Sequence, residues 1–226
     1  MNIKINQRGG FGDIFFTIKI GQRLVEMGHN VYWPVVPEYA AYIAEYVISD
    51  IKWVEAPNDA TLLDIGRASW LVNWENKDDI YDKVMESKYI YADRLFPGIG
   101  SYDDWCQYLK INRNFEKEAE LKDKILKDIN EPFALVNRHF ATEHIKLDMP
   151  IRSDLREVEI NKVPGFTLFD WCGIIELAEE IRIPDSSFPY IVEILNTTDK
   201  IYMYKRNEEP YVRTKPIWKK KWRFME

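Results

Sequence analysis

The first 36 residues carry the feature that most limits what this chain can fold into. Met1 to Asn6 alternates apolar and polar residues, with Ile3 and Ile5 on one face, and reads as a short strand. The glycine loop "RGGFGD" follows at residues 8–13. Ile14, Ile18 and Val25, with Phe15, Leu24 and Met27 beside them, then recur at helical spacing. Gly28 stands where a helix C-terminal glycine belongs. "HNVYWPVV" reads as a second strand. Strand, loop, helix and strand make a βαβ unit, so the chain opens as part of a mostly parallel α/β sheet.

The pattern continues along the chain. "EYAAYIAEYV" reads as a helix, "IKWVEA" and "SWLVNW" as strands, and "YDDWCQYL" as a helix. Phe115 to Asn130 is charged and periodic, an exposed helix that Pro132 ends. "FALVN" at 133–137 starts a new buried strand, which places a lobe boundary near residue 131. The expected domains are therefore 1–131 and 132–226. The second holds a strand "VEINKV", a helix from Thr167 to Glu180, a strand "IRIP", a short helix from Ser187 to Leu195 and a strand "KIYMY". The expected fold class is α/β, two Rossmann-like lobes with a cleft between them and the second lobe reduced.

Composition removes several classes. Hydrophobic residues are 46% of the chain, enough for a core, and no apolar run approaches a membrane span. Polar Asn6, Gln7 and Arg8 interrupt any apolar leader. A net charge of -6 argues against a general nucleic-acid binder. Cys106 and Cys172 lie far apart without metal-ligand spacing and read as reduced thiols, so a cytoplasmic location is expected. His29, His139 and His144 do not cluster with them, and no metal is expected.

The glycine loop fits neither common nucleotide fingerprint. A G-x-G-x-x-G counted from Gly10 needs glycine at position 15, where Phe15 stands, and no G-K-[ST] follows. Asp13 has two readings: an N-cap of the helix, or a general base at the carboxyl end of the first strand, facing the crevice where open α/β sheets bind ligands. Gly10 and Gly12 are expected to take positive φ and hold the loop low. A second signal lies in "IRIPDSSFPYIVEIL": Asp185, Ser186 and Ser187 stand between a strand and a helix. Two hydroxyls with free backbone N–H groups suit a diphosphate; the same residues also suit capping alone.

Together the two signals resemble the heptosyltransferase-like glycosyltransferases, which use the two-lobed GT-B fold. Members begin with a strand, a loop ending Gly-Asp and an apolar helix, matched here by Gly12-Asp13-Ile14 after "IKINQRGGF". Late in the chain they carry a Leu-led helix, a strand and Asp-[Ser/Thr]-Gly-x-x-His. Here the helix starts near Leu168 and "DSSFPY" holds the motif position, with Ser187 for the glycine and Tyr190 for the histidine. Between them, "FALVNRHFATEHIKLDMP" supplies the strand, the basic Lys146 and Pro150. The chain is shorter than the family's usual length.

The resemblance implies a nucleotide-diphosphate sugar donor on the second lobe, an acceptor on the first, and Asp13 as catalytic base. Arg138, Lys146 and the helix start at Ser186 and Ser187 would stabilise the leaving diphosphate. Gly10, Gly12, His139, Asp185 and Tyr190 would complete the substrate contacts. No D-x-D occurs, which suits a metal-independent enzyme with no cofactor beyond its donor substrate. The expected partners are a nucleotide sugar and a glycan acceptor, with no nucleic acid. The alternative is a non-catalytic sugar-nucleotide or glycan-binding protein on a degenerate GT-B fold. The tail "RTKPIWKKKWRFME" reads either as a final helix whose Trp218 and Trp222 pack back onto the first lobe, or as a weak contact with an anionic membrane surface.

Overall fold

The structure, a computed structural model, describes residues 1–7, 10–76, 83–139, 147–205 and 215–225. The chain divides into two compact units, Met1–Asn112 with Val212–Ile217, and Arg113–Tyr211 with Trp218–Glu226. Both are built on parallel sheets with helical connections.

In the first unit, β1 (Asn2–Ile5), α1 (Phe11–Glu26) and β2 (Asn30–Tyr32) form the expected βαβ unit. They are followed by α2 (Pro37–Tyr46), β3 (Thr61–Leu63), α3 (Ala68–Leu71) and α4 (Val84–Leu95). The sheet order is β2-β1-β3, with Ile3 opposite Val31 on one side and Thr61 on the other. Ile3 and Ile5 are fully buried, as are Phe15, Ile18 and Leu24 of α1. α1 ends as expected: Gly28 has φ 84 and donates its N–H to Val25 at 2.8 Å.

Three local expectations are corrected here. "IKWVEA" contributes only a single bridge, Lys52 to Tyr32. "SWLVNW" is the short helix α3 and a bend: Ala68 and Ser69 are buried as neighbours while Trp70 and Leu71 are both exposed, a helical and not a strand pattern. The strand is Thr61–Leu63, which only one buried residue, Leu63, marks. "YDDWCQYL" makes one 3-10 turn, Trp105–Gln107, held where the Trp105 indole donates to the Ile217 carbonyl at 2.8 Å. Helix α4 was not expected at all.

The second unit begins with α5 (Phe115–Leu126), capped by Asn114, whose side chain accepts from the Lys117 N–H at 3.1 Å. Then come β4 (Phe133–Val136), β5 (Arg156–Glu159), a 3-10 turn (Leu168–Trp171), α6 (Cys172–Leu177), β6 (Glu180–Pro184), α7 (Phe188–Ile194), β7 (Ile201–Tyr204) and β8 (Arg223–Met225). All five strands are parallel, in the order β5-β4-β6-β7-β8. The unit starts at Arg113, not near residue 131. The reason is that α5 packs on α6 and the preceding turn, and Arg113 pairs with both Glu118 and Glu176.

The expected helix Thr167–Glu180 is shorter. Thr167 and Asp170 form a capping box, and the chain turns extended at Ala178 (ψ 132), so Glu180 already belongs to β6. The second unit carries the larger sheet, five strands against three, and two short helices, α6 and α7, of 6 and 7 residues. The tail is not a helix on the first unit. It is β8, an edge strand paired with β7. The Trp218 ring lies tilted against that of Tyr190 with centroids 4.7 Å apart, and the Trp222 indole donates to Glu193 Oε2 at 2.8 Å. The Glu193 carboxylate also accepts from the backbone N–H groups of Lys219 and Lys220, so a single buried acid fastens the tail. Both tryptophans are thereby buried and not available for a surface contact.

Candidate functional site

In each sheet the strand that comes first in the chain lies between the second and the third. The chain therefore leaves neighbouring strands in opposite directions, and a crevice opens at their carboxyl ends. That is where open α/β sheets place ligands.

In the first unit this edge is polar. Asn6, after β1, donates to Asp64 Oδ1, after β3, at 2.9 Å, and the Gly66 N–H donates to the Asn6 carbonyl at 2.9 Å. Asp13 lies in the first turn of α1. It is not the N-cap: Gly10 holds that position, with extended backbone (φ −67, ψ 179) and no side-chain cap bond. Gly10 and Gly12 do not take positive φ either, because α1 begins at Phe11 and Gly12 is already helical. Among the described residues the positive-φ glycines are Gly28, Gly98, Gly100 and Gly165. A side-chain carbon at Gly10 would meet nothing within 4 Å among the described residues. Arg8 and Gly9 lie outside those residues.

The Asp13 carboxylate is paired. Lys88 Nζ donates to its Oδ1 at 2.5 Å and to Gln7 Oε1 at 2.9 Å. The lysine side chain is 5% exposed and the aspartate side chain 35%. Lys88 arrives from α4 because Tyr89 beside it docks on α1: the phenol donates to the Phe16 carbonyl at 2.5 Å and the two rings meet edge to face at 5.2 Å. Burial pushes the Tyr89 phenol well above the usual tyrosine range, keeping it a neutral donor. Half-buried aromatics flank the helix start, with the Phe11 ring 4.2 Å from that of Tyr39.

In the second unit the Asn137 N–H donates to the Arg182 carbonyl at 3.0 Å, so the ends of β4 and β6 lie side by side. This brings 137–139 and 185–187, far apart in sequence, to one edge. Arg138 is committed elsewhere. Its guanidinium grips both oxygens of Glu157 on β5 and donates to the Met149 carbonyl at 3.1 Å. The Glu157 hydrogen bonds raise its pKa further, so it is a charged group already balanced. His139 is exposed, with Nε2 3.5 Å from Glu159 and its N–H on Asn137 Oδ1 at 3.0 Å.

Asp185 donates its N–H to the Tyr204 carbonyl at 3.1 Å. The Ser186 hydroxyl is buried without a hydrogen-bond partner among the described residues, and Ser187 precedes α7 without making a side-chain cap bond. Tyr190 is 3% exposed and lies under Trp218. Lys146 lies outside the described residues. Glu176 pairs with Arg113 at 2.8 Å. No metal-holding group of three or more His, Cys, Asp or Glu occurs among the described residues, and no helix there is long and apolar enough to cross a membrane.

The residues that sequence reasoning missed are Lys88, Gln7, Asn137 and Glu157. Lys88 had a legible signal: Met85, Lys88, Tyr89 and Ala92 recur as i, i+3, i+4 and i+7, which sets a lysine on the buried stripe of a helix.

Two parallel α/β units, in each of which the first strand lies between the second and the third, define a Rossmann-type protein. Its fold is that of the crystal structure of the glycosyl transferase family 9 from Veillonella parvula DSM 2008, with a TM-score of 0.61 over 99% of this chain and 85% of that one. Sequence identity between the two is 8%, so the likeness is one of fold. No protein-family model matches the sequence, and no curated protein is similar to it.

Proposed function

We propose that this protein is a metal-independent glycosyltransferase that moves a sugar from a nucleotide-diphosphate donor to a glycan or other hydroxyl acceptor. The observation that carries the reading is Asp13. It stands at the carboxyl edge of the first sheet, with Oδ1 held by Lys88 and Oδ2 without a partner among the described residues. The other carboxylate oxygen takes the proton of the acceptor hydroxyl as the hydroxyl oxygen bonds to the anomeric carbon. The bond from the anomeric carbon to the diphosphate breaks, and the diphosphate leaves with the electron pair. General-base help of this kind contributes about 10²–10⁴ in rate.

The second unit's edge suits the donor. Ser187 stands at the start of α7 with the buried Ser186 hydroxyl beside it, and Lys146 is the cation proposed for the leaving diphosphate. Lys146→Ala is expected to weaken nucleoside-diphosphate binding, read by calorimetry, more than it changes stability. The decisive experiment is Asp13→Asn, assayed for transfer from uridine-, guanosine- and adenosine-diphosphate sugars. A fall of about a hundredfold or more with nucleotide binding kept supports the base. Full transfer by the variant overturns it.

The second reading, a glycan- or nucleotide-binding protein without turnover, has one observation in its favour. Tyr190, at the position of the family's histidine, is buried against Trp218. Binding without transfer by the unaltered protein would select that reading.

A further inference from the structure

The Asp13–Lys88 pair is asymmetric. The cation is buried and the carboxylate is one-third exposed. Lys88 has two acceptors among the described residues, Asp13 Oδ1 and Gln7 Oε1, and Gln7 is itself buried. Removing an ammonium from water costs several kcal/mol, and an apolar side chain on the α4 stripe would fill the same space more cheaply. A buried ion pair is therefore weak evidence of a purely stabilising role. What the lysine does achieve is geometric. An Asp side chain in the first helical turn can rotate about χ1 and χ2, and a single buried ammonium bonded to one oxygen removes that freedom.

The docking of α4 is itself rigid. Tyr89 is buried, hydrogen-bonded to the α1 backbone and packed on Phe16 and Tyr102. Lys88 is thus held from a second helix, with its reach fixed by an aromatic contact one residue away. The other Asp13 oxygen has no partner among the described residues, and the Asp13 side chain is one-third exposed.

We propose that Lys88 is a positioning residue: its ammonium anchors Oδ1 of Asp13 so that Oδ2 is presented to a hydroxyl of a bound glycan. The proposal rests on the transferase reading for its effect on turnover, and it holds in the same form for binding of a glycan without transfer. Lys88 acts through Asp13, so its contribution vanishes when Asp13 can no longer act as a carboxylate.

The test is a double-mutant cycle with Lys88→Met, Asp13→Asn and the double variant. Each is assayed on a printed glycan array, with and without a panel of uridine-, guanosine- and adenosine-diphosphate sugars. Lys88→Met is expected to lose at least about tenfold in kcat with little change in nucleotide affinity. The double variant is expected to be no worse than Asp13→Asn alone, because residues acting as a unit are non-additive. Lys88→Gln, which keeps a donor for Oδ1, is expected to lose less than Lys88→Met, and it replaces Lys88→Met in the cycle should the latter fail to fold.

Full kcat and full glycan binding in the Lys88 variants overturn the proposal while leaving the transferase reading intact. Losses that multiply with those of Asp13→Asn also overturn it, since that is the signature of an independent structural role. Should the unaltered protein bind glycans but transfer no sugar, the transferase reading falls. Lys88 is then judged by glycan binding alone, where equal loss in both single variants supports it and retained binding in Lys88→Met overturns it. An unaltered protein that neither binds nor modifies any arrayed glycan overturns both.

Discussion

The two units each place a charged residue after the first strand of the sheet, Asp13 in the first turn of α1 and Arg138 just past β4, and they leave it in different states. In the first, Asp13 gives one oxygen to a buried lysine, and the other has no partner among the described residues. In the second, Arg138 gives its guanidinium to both oxygens of Glu157 and to a backbone carbonyl. The same topology therefore yields one half-used charge and one fully used charge. The difference suggests a division of labour. Under the proposed transferase reading, chemistry that needs a charged atom with an open oxygen belongs to the first unit, and the corresponding edge of the second carries the serines Ser186 and Ser187. A neighbour decides between the two outcomes: Lys88 supplies one point of contact, whereas Glu157 supplies a matching fork.

The comparison is broken most directly by exchanging the two charges one at a time. Asp13→Asn should lower transfer by about a hundredfold or more, whereas Arg138→Met should lower it less than about tenfold. Equal losses in a transfer assay would mean that the paired arginine is as active as the half-paired aspartate, and the contrast would disappear.

Stability supplies the next test. Glu193→Ala removes one carboxylate that accepts from Lys219, Lys220 and Trp222, leaving three donors unmet. It should cost the second unit about 2 kcal/mol or more in denaturant unfolding, with faster hydrogen exchange along β8. A change below a few tenths of that would show that the strand pairing alone holds the tail.

Glu157→Gln sharpens the comparison from the other side, because it releases Arg138. Nucleoside-diphosphate affinity should rise by about tenfold, ~1.4 kcal/mol, if the freed guanidinium reaches the edge between β4 and β6. Unchanged affinity in calorimetry would place Arg138 outside the nucleotide's reach in either state.

The smallest effect concerns Cys172, whose thiol burial pushes up to about 12. A free cysteine ionises near 8.5, so below that pH both folded and unfolded chains carry the thiol and no pH dependence arises. As pH rises from about 8.5 toward 12, only the unfolded chain ionises, and this group's contribution to stability is progressively lost. At pH 8 a disulfide reagent should modify the partly exposed Cys106 and reach Cys172 only after denaturation. Rapid labelling of both thiols in the native protein would contradict the burial of α6.

The sequence was most legible where one face of an element is buried by its own neighbours. The opening βαβ unit, the glycine at the end of α1, and the strands β4, β6 and β7 follow from periodicity and turn chemistry, because the apolar stripe and the cap are local properties. Legibility failed where tertiary contacts overrode the local pattern. Leu62 of β3 and Trp70 of α3 are exposed apolar residues, so neither element shows the period that its backbone adopts. "KKKWRFM" reads as a basic helix end until Glu193 gathers its N–H groups and indole and lays it along β7.

The candidate site divides in the same way. Sequence alone singled out Asp13, by its place after the first strand, and Asp185–Ser187, by the strand-to-helix turn. Whether a charge is free depends on a partner distant in the chain, and no local pattern encodes that. Lys88 reaches Asp13 across 75 positions and Glu157 reaches Arg138 across 19, in both cases because packing of one element on another sets the distance. Burial then makes such a pairing matter, since a charge removed from water must find its counterpart in space and not in sequence.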